Sequence, residues 1–273
     1  MLWYYIIVVN TSERRYKMLA LAMIPGIILF YAVWKLDTVE KESPVLLLKL
    51  FVSGVLVMLA DILLRTLGIR LLESTYNGTH ILLYSFVDAF IFTALIEEGC
   101  RFMVLKLLTW KDKDFNYTFD AIVYAVTVSV GFLIAENIFY MIKYGSEVEP
   151  LKLILPVIAQ VFISIFMGYF YGLAKLADIK GDKSDKKQHM CEAVLIPIVL
   201  HGFYEFCLSS RITLFIVIFI IYAVLMTVMA VVFFVKTQRN DTAIEWSETD
   251  MTDGEAFEKN VTSLLQGKEK GGE

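Results

Sequence analysis

The chain has 273 residues, 58% of them hydrophobic and 20% charged, and its mean hydropathy of +0.64 is too high for an ordinary soluble domain of this size. The net charge of −4 arises at the C-terminal end, where nine acidic residues face five basic ones from Lys236 onward, leaving twenty of each before it. That balance gives no basis for nucleic-acid binding, and three cysteines (Cys100, Cys191, Cys207) without a CxxC pair give none for a disulfide framework or a thiolate zinc site.

The opening MLWYYIIVV is too short to cross a bilayer before the polar TSERR and lacks the pattern of a cleaved signal, so residues 1–17 read as an interfacial segment. Apolar runs then predict spans at Met18–Trp34, Val45–Leu64, Ile81–Leu108, Phe119–Ile142, Leu151–Leu176, Ala193–Leu208 and Ile212–Val235. The expected fold is an all-α, polytopic transmembrane helical bundle of about seven to eight spans, with residues 18–235 as the membrane-embedded domain. Residues 236–273 read as a mobile acidic tail. Lys180, Lys183, Lys186 and Lys187 make the most basic connection, which places the C-terminus in the cytoplasm by the positive-inside rule. No internal repeat is evident, which disfavours a transporter.

Ionisable groups at membrane depth are costly and mark functional sites by default. The third span carries Asp88, Glu97, Glu98 and Arg101, the fourth Glu136 and Asn137, the fifth Gln160, and the sixth His201 and Glu205. Arg101 stands one helical turn from both Glu97 and Glu98 and can pair with one carboxylate, leaving the other available. At 1.5 Å per residue, Glu136 lies roughly 9 Å, Gln160 roughly 13 Å and His201 roughly 10 Å from the outer ends of their spans. These groups can therefore meet near the midplane. Two carboxylates and a histidine from separate helices suit water activation, either by holding a divalent metal, for which zinc is a candidate, or by direct general-base catalysis with the histidine stabilising an oxyanion.

Four stretches in order, EEGCR (97–101), FDAIVYAVTVSVGFLIAENIFY (119–140), LPVIAQVFISIFMGYFYGLAK (155–175) and LIPIVLHGFYEF (195–206), resemble the PrsW family of intramembrane proteases within the CAAX prenyl protease superfamily. The resemblance implies a bacterial multi-pass membrane hydrolase that cuts a single-span, membrane-anchored protein such as an anti-sigma factor. By motif it assigns catalysis to Glu97, Glu98, Glu136 and His201, with Glu98, Glu136 and His201 as the metal set. Arg101, Asn137, Gln160 and Glu205 fall in supporting places. Gln160 stands where the family pattern has a histidine, and an amide is a poor metal ligand. The alternative expectation is thus a catalytically impaired relative that binds membrane segments without cleaving them.

Blander roles accompany these. Glu97, Glu98 and Arg101 can form a structural ion pair, Glu136 and Asn137 an interhelical clamp, and Gly168 and Gly172 a close-packing stripe. Asp61, Asp88 and Asp120 are expected to be hydrated or locally paired, and His80 and His189 to face solvent.

Overall fold

The computed structural model describes residues 2–76, 80–145, 149–210 and 212–244, with the side chains of 2–16 and 75 excepted. Its elements are α1 (Leu2–Leu36), α2 (Pro44–Thr75), α3 (Ile81–Val87), a π-helical segment (Asp88–Leu95), α4 (Ile96–Thr109), α5 (Asp120–Tyr144), α6 (Pro150–Ile179), α7 (Lys183–Ser209) and α8 (Thr213–Arg239). Among the described residues, six helices are long and apolar enough to cross a membrane. The seventh rod, Ile81–Thr109, is built from α3, the π segment and α4 in succession. The all-α polytopic bundle is therefore as the hydropathy pattern predicts, and the chain is a multi-pass membrane protein.

Several span ends differ from expectation for one reason: the helices run on past the apolar runs. α2 continues eleven residues beyond Leu64, carrying Arg65 within the helix. α7 starts at Lys183 rather than Ala193 because the Asp182 side chain accepts from the Ser184 and Asp185 backbone N–H groups at 3.0 Å, an N-cap that lets a charged turn stay helical. α1 is continuous from Leu2, with no backbone break where the interfacial segment 1–17 was expected to end. At the other terminus, the part of the 236–273 tail up to Ile244 is structured: α8 reaches Arg239, and the backbones of Thr242 and Ile244 pair with Thr118 and Asn116. The rest of the tail, 245–273, lies outside the described residues.

α5 is the central helix and is mostly buried within the bundle, whereas α8 is mostly exposed at its edge. The sequence permits this because α5 replaces bulk with small residues where neighbours cross. Gly131 lets α5 approach α2 so closely that an added Cβ would lie 2.1 Å from the Phe51 carbonyl oxygen. Gly168 of α6 does the same against α5, where a Cβ would lie 2.5 Å from the Ile122 Cα, and Gly172 would meet the Thr118 carbonyl at 2.6 Å. That stripe therefore packs α6 on α5 within one chain. Pro156 and Pro197 sit one turn before Gln160 and His201, each removing one intrahelical hydrogen bond near the residue it precedes.

The Gly131→Ala variant should lose stability by about 1–3 kcal/mol through overpacking. At Gly26, where a Cβ would meet its nearest neighbour at an ordinary 3.5 Å, alanine should be neutral or stabilising by up to about 1 kcal/mol. Thermal unfolding in detergent checks both, and equal melting temperatures for the two variants would contradict the packing account.

Candidate active site

The π segment DAFIFTAL ends at Leu95, two residues before Glu97. Its wider turn shifts the rotational register of the rod, a device frequent at functional sites. It also packs against α7 beside His201, where a Cβ on Gly202 would lie 2.4 Å from the Phe90 ring.

Arg101, fully buried, organises the polar cluster. Its Nη2 lies 2.5 Å from Glu98 Oε1 and 3.5 Å from Glu97 Oε2. Nη1 donates to Gln160 Oε1 at 2.9 Å and to Ser129 Oγ at 3.3 Å, while Nε donates to the Glu97 carbonyl at 3.4 Å. The guanidinium also lies over the Phe132 ring, 4.9 Å from its centroid. Ser129 in turn accepts from Ser164 at 2.5 Å.

His201 closes the network. Its Nδ1 lies 2.8 Å from Glu98 Oε1, and the Gln160 amide nitrogen is 2.9 Å from its Nε2. A guanidinium has donors only, so Gln160 must present its oxygen to Arg101 and its NH2 to His201. With the proton on Nδ1 donated to Glu98, Nε2 is left to accept from Gln160. Arg101, Gln160, His201 and Glu98 thus form a closed ring of hydrogen bonds drawn from α4, α6 and α7. One atom is left over: Glu98 Oε2 is buried without a hydrogen-bond partner.

The remaining predicted residues are placed less uniformly. Glu205 stands at the edge, one-third exposed, with Oε1 3.9 Å from His201 Nε2. Glu136, partly buried, is within electrostatic reach of Arg65, Glu205, Asp61 and His201. Asn137 takes the clamp alternative rather than the supporting one, donating to the carbonyls of Ala22 at 3.0 Å and Leu153 at 3.1 Å and so tying α1 and α6 to α5. Asp61 and Asp88 are not simply hydrated or paired, since each has a buried Oδ1 without a partner.

Arg65 is the residue that span-by-span reading overlooks. Its Nη1 lies 3.6 Å from Glu97 Oε1, and its side chain is 32% exposed. The signal available was the i, i+4 spacing of Asp61 and Arg65.

Comparison with known proteins agrees with this architecture. The model of the PrsW family of intramembrane metalloproteases matches residues 42–235. The chain belongs to the PrsW family. Relatives named protease PrsW include that of Shouchella clausii, 30% identical over 189 residues that cover 69% of this chain and 82% of the relative. Those of Geobacillus kaustophilus (27% identical, 72% and 81% covered) and Clostridioides difficile (29% identical, 76% and 85% covered) are similar over comparable lengths. No solved structure matches.

Membership raises the question of a metal. Carboxylate oxygen and imidazole nitrogen are the donors of a catalytic zinc, and the unpartnered Glu98 Oε2 beside His201 is a buried ligand atom with nothing else to bind. The chemistry of the residues fits such an ion. The side chains are arranged around their own hydrogen bonds, however, and the only described trio of potential ligands with atoms within 4.8 Å of one another is a different one, Asp37, Glu42 and Asp120.

Removing the guanidinium leaves Glu98 buried and uncompensated. The Arg101→Met variant should therefore lose about 3–5 kcal/mol of stability, while the Arg101→Met, Glu98→Gln pair recovers much of it. Thermal unfolding in detergent reads this, and an unchanged single variant would show that the pair does not hold the site.

Proposed function

We propose that this PrsW-family membrane protease hydrolyses a peptide bond of a single-span, membrane-anchored substrate, an anti-sigma factor being the expected kind, at the cluster of Glu97, Glu98, Glu136 and His201. The observation that carries the reading is the buried union of Glu98, His201 and Arg101 across α4 and α7, with Glu97 beside it. The setting is a bacterial cell membrane with the lysine-rich α6–α7 connection and the C-terminus in the cytoplasm.

The two adjacent glutamates are held differently, and this separates their roles. Glu98 is pinned at 2.5 Å and 2.8 Å by Arg101 and His201, whereas Glu97 has its cations at 3.5 Å and 3.6 Å. Glu97 is the freer base. It takes a proton from water as the water oxygen attacks the scissile carbonyl carbon, and that proton passes to the leaving amine nitrogen as the C–N bond breaks. Arg65 stands beside Glu97 and is placed to stabilise the oxyanion. Glu98, Glu136 and His201 are the residues that would hold a zinc ion, which when bound polarises a carbonyl and acidifies water.

A second reading has its own observation. The Gln160 amide nitrogen lies against the His201 ring, 2.9 Å from Nε2 and 3.1 Å from Nδ1, and crowds the nitrogens that a metal or a proton would use. With that contact kept, the chain captures membrane segments without cutting them.

Cleavage of a single-span reporter in proteoliposomes separates the two. The Glu97→Gln, Glu98→Gln, Glu136→Gln and His201→Ala variants should each lose about 10²-fold or more of the activity, and Gln160→His should raise it. Cleavage surviving all four substitutions would refute the site, and reporter capture without turnover by both wild type and Gln160→His would favour the binding reading.

A further inference from the structure

The tightest gathering of carboxylates among the described residues lies outside the hydrolytic cluster. Asp37 follows α1, Glu42 precedes α2 and Asp120 opens α5, yet an oxygen from each lies within 4.8 Å of the other two. All three are buried, at 2%, 5% and 1% exposure, beneath an exposed turn formed by residues 38–41. Glu136 is sixteen residues further along α5, roughly 24 Å away at 1.5 Å per residue.

The local partners of these acids do not complete the site. Asp120 Oδ2 accepts from the Asn116 and Tyr117 backbone N–H groups at 3.0 and 2.7 Å. Glu42 shares a side-chain hydrogen bond with Asp120, and its Oε2 accepts from the Tyr124 hydroxyl, which also lies 2.9 Å from the Asp114 carbonyl oxygen. Asp37 Oδ2 is buried and has no partner. The cation acting on Asp37, Lys41, directs its ammonium to the backbone carbonyls of Trp34 and Asp37 at the end of α1. Further acids, Glu40, Asp114 and Asp241, add their fields to the same place. Burial pushes the Glu42 carboxyl up to about 7 and that of Asp37 to about 6.

The geometry points to a second ion site: Asp37, Glu42 and Asp120 bind a hard divalent cation, calcium or magnesium, that staples the α1–α2 turn to the start of α5. The all-oxygen donor set is the kind such ions take, unlike the mixed carboxylate and imidazole set deeper in the bundle. The Asp37 carboxylate takes a backbone hydrogen bond from Val39, but its buried Oδ2 has none and is the open donor that such an ion would satisfy. By fixing the aqueous end of the central helix, the ion would brace the helix on which Glu136 is carried.

The test uses the full chain in detergent, stripped with chelator and titrated with terbium, whose luminescence is sensitised by a nearby tyrosine such as Tyr124. A saturable signal is expected, displaced by calcium or magnesium, with separate titrations showing which ion binds. Affinity should fall at least tenfold in Asp37→Asn and in Glu42→Gln, and stay within twofold in His201→Ala. These amide variants remove buried charge at constant shape, so both should unfold at or above the temperature of stripped wild type, and only wild type should gain on adding calcium or magnesium. Unchanged terbium affinity in both amide variants, an equal thermal gain in them, or loss of the signal in His201→Ala alone would overturn the proposal. None of these readouts depends on peptide cleavage.

Discussion

A guanidinium has five N–H donors and stays charged, and at membrane depth there is no water to receive them. Arg101 meets that demand wholly from the protein: Glu98 and Glu97 on its own helix, Ser129 on α5 and Gln160 on α6, with the Phe132 face beneath it. Each acceptor is fixed by having to serve it, so the charge orients the groups around it. Glu98 held by Arg101 can orient His201 of α7, and Gln160 held at its oxygen can present only its NH2 to the same imidazole. Four rods are thereby tied at one point.

The scaffold brings the helices close enough for these short contacts. α5 passes α2 at Gly131 and α6 at Gly168 with no room for a methyl group, and the Asn137 side chain secures its far half to α1 and α6 through two backbone carbonyls. The π segment adds a local change of register just ahead of the paired glutamates. A uniform α-helix from Ile81 onward would turn Glu97 and Glu98 to other directions relative to Asp88.

Hydropathy made the seven rods legible because lipid requires long apolar stretches, and no tertiary information is needed to see them. Their ends were not legible, since a charged turn such as Lys183–Lys187 stays helical once Asp182 caps it. The π segment was hidden too, because DAFIFTAL is almost wholly apolar after Asp88 and carries no period that separates a π turn from an α turn. Among the candidate site residues, Glu97, Glu98, Arg101, Gln160 and His201 lie together in the folded chain, whereas Asn137 takes the clamp role weighed beside the supporting one. Arg65 was not legible because it stands just past the end of the apolar run, at a place where a charge reads as the start of a connection. The trio of Asp37, Glu42 and Asp120 escaped because its members come from separate connections, a proximity that only the folded chain creates.

The central claim is that the polar cluster inside the bundle is a hydrolytic centre able to hold zinc, with Gln160 engaging its histidine. Zinc content per chain, measured by mass spectrometry on the purified Gln160→His variant and on the same variant carrying His201→Ala, tests it most directly. The account predicts about one zinc per chain in the first, on the stoichiometry of a single catalytic site, and its loss in the second. Equal zinc in both proteins, or none in either, would contradict it.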